Sequence, residues 1–113
     1  MIDFCVFGKI IIDGRAYVTD LKIYPDGSVH DSWTREKGHI IQVDDIMDLL
    51  ATCPDAIIAG TGMNGMAKPD EGLKEELSKK GIEFFALENR GAVKRYNQLE
   101  WKKRTAACFH LTC

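Results

Sequence analysis

The sequence predicts an α/β domain, with a mixed central sheet carrying helices and joined to an N-terminal antiparallel β portion. Three observations predict it. Before Trp33, apolar residues alternate with polar ones, which is the period of half-buried strands. After Gly38 the spacing lengthens to that of amphipathic helices, and between those helices stand short, uniformly apolar runs suited to strands covered on both faces. At 113 residues the chain is one domain, 1–113, because cores stop growing only well beyond this length.

In the first third, Ile2, Phe4 and Val6 alternate with Asp3 and Cys5, and Tyr17, Thr19, Leu21 and Ile23 alternate with Val18, Asp20 and Lys22. Asp13-Gly14 and Asp26-Gly27 reach positive φ at little cost, so each closes a hairpin and this third reads as a meander. Asp44 or Asp45 then caps a helix with Ile46, Leu49, Leu50 and Cys53 on one stripe, stopped by Pro54. Ala56-Ile57-Ile58-Ala59, ended by Gly60, reads as a central strand. A second helix follows, with Pro69 in its first turn, Leu73 and Leu77 on its apolar edge, Glu75/Lys79 and Glu76/Lys80 one turn apart, and Gly81 at its C-terminal cap. Ile82 to Leu87 reads as another buried strand, parallel to the Ala56 strand. Asn89 can cap a third helix bearing Ala92, Val93, Tyr96 and Leu99 on one face, and Ala106 to Leu111 closes the chain as a strand.

Composition excludes several classes of function. Fifteen Lys and Arg against seventeen Asp and Glu give a net charge of -2, so no global field attracts nucleic acid or an anionic membrane. Lys94, Arg95, Lys102, Lys103 and Arg104 are locally basic, but Glu88 and Glu100 interrupt them and no aromatic ladder accompanies them, as on a solvated helix face. The longest apolar stretches fall far short of the ~20 residues that cross a bilayer, and the opening residues lack the pattern of a secretory leader, so a cytoplasmic protein is expected. Cys5, Cys53, Cys108 and Cys113 are too sparse for a disulfide framework, and free thiols are expected.

Gly60-Thr61-Gly62-Met63-Asn64-Gly65 matches the dinucleotide fingerprint letter for letter, and Glu88 follows the next strand. The fingerprint needs its helix to start within the glycines, however, and Pro69 would then lie in the helix interior at a cost of about 3 kcal/mol. No nucleotide or other cofactor is therefore expected. What survives is a concavity at the carboxyl end of a strand, where uncovered amides of Gly60, Thr61, Gly62 and Asn64 can hold a small anion. Arg90, at the mouth of the third helix, is the candidate cation beside them. The alternative is that the glycines merely turn the chain and Arg90 is solvated.

No residue is assigned a catalytic role. His110 and Cys113 are the one acid/base or nucleophile candidate pair, but in an extended tail Cys108, His110 and Thr112 face one side while Phe109, Leu111 and Cys113 face the other. No metal is expected, because zinc sites usually begin with closely paired cysteines and none are present. Trp33 stands among polar residues, where it anchors an interface or lids a small core; packing is the favoured reading.

Phe7-Gly8, Asp13-Gly14, Trp33-x-Arg35, Gly60-Thr61-Gly62, Gly81-Ile82, Tyr96-Asn97-x-Leu99 and His110-x-Thr112-Cys113 together resemble the adipogenesis-associated Mth-type domain family over essentially the whole chain. The resemblance implies the Mth-type domain fold, a mixed sheet with helices beside a separate antiparallel β portion. It brings no established catalytic activity, and a mitochondrial relative that acts in respiratory complex I assembly implies protein contact. The expected function is a small non-enzymatic binding or assembly module, self-associating or contacting a protein partner. The rival is an anion-binding protein or enzyme using the cleft at Gly60 to Gly65 and Arg90.

Overall fold

A computed structural model describes residues 1–113 and shows a mixed α/β domain built on three sheets. The first sheet holds β1 (Ile2–Val6), β2 (Lys9–Ile12) and β3 (Arg15–Tyr17), all antiparallel. Asp13 and Gly14 both take positive φ, +49° and +81°, so the turn between β2 and β3 is of the kind their sequence predicts. After β4 (Leu21–Ile23), a second hairpin at Asp26-Gly27 leads to the two-residue β5 (Val29–His30).

The N-terminal third is not one continuous meander. β4 and β5 leave the first sheet and join the central one, where Tyr17 to Ile23 splits into two strands around Val18 to Asp20. At the end of this break the Asp20 carboxylate bonds the Leu111 amide and His110, just beyond the chain's last strand.

β6 (Ile40–Ile41) and a 3-10 turn at Val43–Ile46 lead to the short α1 (Met47–Ala51). Asp45 is bonded to the Gln42 amide rather than capping from in front, and Cys53 lies beyond the helix, exposed, in the left-handed region. β7 (Ala56–Gly60) is buried at every position. β8 (Lys68–Pro69) pairs with β6 in parallel, a small sheet that the sequence pattern did not disclose. Pro69 therefore sits in β8, and Asp70 caps α2 (Glu71–Lys79) by accepting from the Leu73 amide at 2.8 Å. Gly81 follows α2 at φ +69°, as expected of a C-terminal cap.

β9 (Glu83–Leu87) runs parallel to β7, as expected, but it is an edge strand and only half-buried. α3 (Asn89–Leu99) turns Ala92 and Tyr96 inward. β10 (Thr105–Phe109) then enters the middle of the central sheet, whose order is β5-β4-β10-β7-β9. It is antiparallel to β4 and parallel to β7, with Phe109 opposite both Leu21 and Gly60.

Alternation along β7 and β10 divides the core into two halves. Ile58, Ala107 and Phe109 face a cluster shared with α3 and the first sheet, including Ile2, Ile10, Tyr96 and Leu111. Ile57, Ala59, Ala106 and Cys108 face the opposite cluster, with Trp33, Leu49, Leu73 and Leu77 from the α1 and α2 side. Trp33 is thus a core residue, and its Nε1 donates to the Asp45 carbonyl at 2.9 Å.

The first sheet is fastened to α3 by one side chain. Asn97 accepts from the Ile2 amide at 2.8 Å and donates to the Ile2 carbonyl at 2.9 Å, completing β1's edge much as a further strand would. We expect Asn97→Ala to lower stability by about 1–3 kcal/mol, because both main-chain groups lose their partner. A urea midpoint unchanged from the native protein would show that this seal contributes nothing.

Candidate functional site

The glycine loop after β7 lies where ligands of α/β sheets usually bind, at the carboxyl ends of parallel strands. Its amides are not free. Thr61 N–H donates to Leu87 O at 2.9 Å, Gly62 N–H to Asn89 Oδ1 at 3.0 Å and Met63 N–H to Thr112 O at 2.7 Å. Asn64 and Met66 both donate to the main-chain oxygen of Cys113, and Ala67 donates back to Thr61. The expected nest of uncovered donors is thus corrected: Leu87, Asn89 and the chain's own Thr112 and Cys113 occupy it.

That segment also explains the glycines. A side chain on Gly60 would fall inside 3.0 Å of the Phe109 ring and of Asn89 Oδ1. Gly62 has φ +113°, and a Cβ there would overlap the main chain of Cys113. Both positions serve close approach of the last strand. Asn89, expected to cap α3, is instead fully buried, accepting from Gly62 and donating to His110 O at 2.7 Å.

Arg90 does not join the loop. It is exposed and lines a shallow depression with Cys5, Val93 and Lys94. An open cleft of about 500 Å³ does lie beside the loop, with Thr61 and Asn64 on its wall. Its cations are Lys68, from β8, and Lys74, from α2, and Glu88 adds one carboxylate. Lys68 has no ion-pair partner, and Lys74 has only the exposed Glu71 at 3.3 Å. Thr61 Oγ1 is already committed to Leu87 O. The cleft can therefore engage an anion through ammonium groups and the Asn64 side-chain amide, not through backbone donors. Sequence reasoning missed both lysines because β8 was not legible, and β8 alone brings Lys68 beside α2.

The strongest polar cluster lies elsewhere. Asp20 accepts from the Leu111 amide at 2.7 Å through Oδ1, while Oδ2 lies 2.8 Å from His110 Nδ1 and 3.0 Å from Arg35 Nη2. A carboxylate can only accept, so His110 Nδ1 carries the proton, and the 3.2 Å approach of Arg35 Nη2 to that nitrogen reflects two donors converging on one oxygen. His110 Nε2 stands 3.3 Å from Thr112 Oγ1. Asp20, His110 and Thr112 thus follow the order of a catalytic triad, yet none of them lines any cavity of the molecule. The arrangement is a latch for the last strand.

Arg35 belongs to the latch. Its side chain is 6% exposed, its guanidinium lies 4.6 Å above the Trp33 ring, and Nε donates to Gly38 O. Burial alone would push the Asp20 carboxyl up, but hydrogen bonds from His110, the Leu111 amide and Arg35 outweigh it and hold the group below the ordinary carboxylate range. The four cysteines are free thiols, and burial pushes Cys108 up to about 12, which makes it an inert core residue. No three His, Cys, Asp or Glu side chains come together to hold a metal ion. No helix is long and apolar enough to cross a membrane.

Fold and site define a mixed α/β scaffold whose last strand is latched internally and whose open polar cleft lies at the carboxyl ends of β7 and β9. The chain belongs to the family described as proteins of unknown function, DUF498/DUF598, which it matches over residues 2–110. It is similar to a conserved hypothetical protein of Pyrococcus horikoshii OT3, at 27% identity over 100% of this chain and 99% of that one, with a TM-score of 0.90. A protein named MT938 is similar at 28% identity over 100% and 98% of the two chains, with a TM-score of 0.82. A Xanthomonas campestris protein shares the fold alone, at 20% identity over 98% and 83% and a TM-score of 0.80.

Replacing the latch carboxylate leaves Arg35 buried without a counter-charge, so Asp20→Asn is expected to cost about 3 kcal/mol at neutral pH. The depressed carboxyl is ionised above its unfolded value near 3.8, where its contribution is complete, and that contribution is lost as pH falls through the lower folded value. The stability gap between native protein and variant, followed by urea unfolding, should narrow below pH 3.8 and stay constant above it. A gap independent of pH would remove Asp20 from this role.

Proposed function

We propose that the protein is a non-enzymatic binding module that acts through protein contact, a second copy of itself being the first partner to test. One observation carries this reading: the first sheet turns an apolar face to solvent. Phe4, Ile11 and Ala16 stand opposite one another across its three strands. On that face Phe4 is 45% and Val6 47% exposed, with Phe7 at 61% in the adjoining turn. Lys9 stands opposite Val6 at the end of this face, and Val18, just after β3, is 72% exposed. Contiguous apolar surface of this kind marks contact sites more often than chemistry. The resemblance to the adipogenesis-associated Mth-type domain, with its assembly-factor relative, supports the same reading.

The experiment is sedimentation velocity over a range of concentrations. The native protein is expected to gain mass as concentration rises, and Val6→Lys, which sets a second ammonium beside Lys9 at the end of the face, to stay monomeric with its fold intact. Native and variant proteins that sediment alike as monomers would overturn self-contact through this face.

A second reading, a small-anion site, is favoured by the unpaired Lys68 and by Lys74 in the cleft shared with Thr61 and Asn64. It replaces Arg90 as the cation. In a titration with inorganic phosphate, Lys68→Ala and Lys74→Ala should each weaken binding several-fold and Arg90→Ala should not change it. An effect of Arg90→Ala alone would restore the original assignment and refute this one.

A further inference from the structure

The central sheet ends at β9 with nothing covering its outer edge. The direction of its free groups follows from the ladder. Glu83 N–H donates to Asp55 O, and Leu87 O accepts from Thr61 N–H, so residues 83, 85 and 87 turn their main-chain groups toward β7. The N–H and C=O of Phe84 and Ala86 consequently point away from the sheet, where no strand meets them. Nothing in β9 blunts this edge: the strand is Glu-Phe-Phe-Ala-Leu, with no proline, glycine or lysine, and its one carboxylate is paired with Lys103.

The same two residues floor two hollows. Phe84 and Ala86 line an open groove of about 500 Å³ against α2, whose apolar wall is Leu77 and Ile82. Ala86 and Lys74 are also part of the cationic cleft described above, so the two hollows are continuous along the strand. Groove and cleft therefore succeed one another in the strand direction, and side chains two residues apart on an added strand are spaced by roughly 6.6 Å on one face.

We infer that β9 is a docking edge for an extended segment of a partner protein, which adds a sixth strand and places an apolar side chain against Leu77, Ile82 and Phe84 and a carboxylate, two residues along, beside Lys68 and Lys74. Main-chain pairing with Phe84 and Ala86 supplies affinity that does not depend on sequence. The hollows supply selectivity, apolar at one end and cationic at the other. Glu88 is the one carboxylate lining the cleft and repels an anion near it, which leaves the two lysines for the partner's carboxylate. The acidic preference rests on the cationic reading of the cleft; the strand pairing does not.

The probe is a capped, fluorescein-labelled peptide with a threonine frame and one leucine and one aspartate two positions apart. Fluorescence anisotropy measures its binding to the full chain, and amide hydrogen exchange locates it. In the free protein, Phe84 and Ala86 should exchange fast while Phe85 and Leu87 are protected, and the peptide should slow the first pair at least about tenfold. N-methylation of the peptide at alternate positions, made in both registers, should weaken binding at least about tenfold in one register only. Ala86→Pro, which removes one outward N–H, should do the same, and the N-methylated peptides decide the matter if that variant misfolds. A peptide that neither binds nor protects Phe84 and Ala86, or that binds equally when N-methylated in either register, overturns the docking edge even where phosphate still titrates the lysines. An asparagine peptide that binds as tightly as the aspartate one overturns the acidic preference, and loss of phosphate binding alone refutes only the anion reading of the cleft.

Discussion

The last strand of this chain is the middle strand of its sheet, and most of the structure is arranged around holding it there. β10 is buried at every position between β4 and β7, so without it the central sheet would fall into two separate pieces. Beyond it, His110 to Cys113 run across the end of β7. Three devices from distant parts of the sequence secure that segment: the Asp20 carboxylate, the Asn89 side chain and the amides of the glycine loop. Each satisfies polar groups that would otherwise be buried without partners, which is costly in an interior of low dielectric.

Charge is used sparingly and inward. Arg35 lies between the Trp33 ring and the Asp20 carboxylate, which accounts for the Trp33-x-Arg35 spacing: residues two apart on an extended segment can bring an aromatic face and a guanidinium to one side. One nitrogen, Nη1, is left buried and unpaired. That deficit is offset by the bonds through Nε and Nη2 and by the ring beneath. The Trp33 indole in turn ties the latch to the segment before α1 through its bond to Asp45. Latch and the Trp33 core cluster are therefore one connected unit on the same face of β10, where His110 follows Ala106 and Cys108.

Much of the fold was legible because local periodicity reports burial. Four apolar letters in a row, ended by Gly60, marked β7, and the amphipathic spacing of Leu73 and Leu77 marked α2. Hairpin turns at Asp13-Gly14 and Asp26-Gly27 were legible because few residues accept positive φ. What was not legible is pairing at long range. Nothing local says that β4 leaves its hairpin neighbours for a strand more than eighty residues away, or that Ile40-Ile41 meets Lys68-Pro69. The surroundings of the glycine loop were hidden for the same reason. Thr61 and Asn64 line a cleft, but the main-chain amides around them are bonded to Leu87, Asn89 and the segment after β10, and the cations on the cleft wall are Lys68 and Lys74 rather than Arg90.

Sheet edges show where such a tightly bonded molecule remains open. β1 is broken by a register shift after Ile2, where Asn97 bonds its edge, β3 spans three residues and β5 two, and β10 is interior. Short or capped edges offer too few aligned donors and acceptors to template another strand. β9 alone combines five residues, a regular ladder and no covering element, and it lies beside the two hollows under α2. The apolar outer face of the first sheet belongs to a different sheet and presents side chains instead of main-chain groups. Contact through one surface therefore leaves the other chemically unchanged, so the two proposed contacts draw on different groups and do not compete for them.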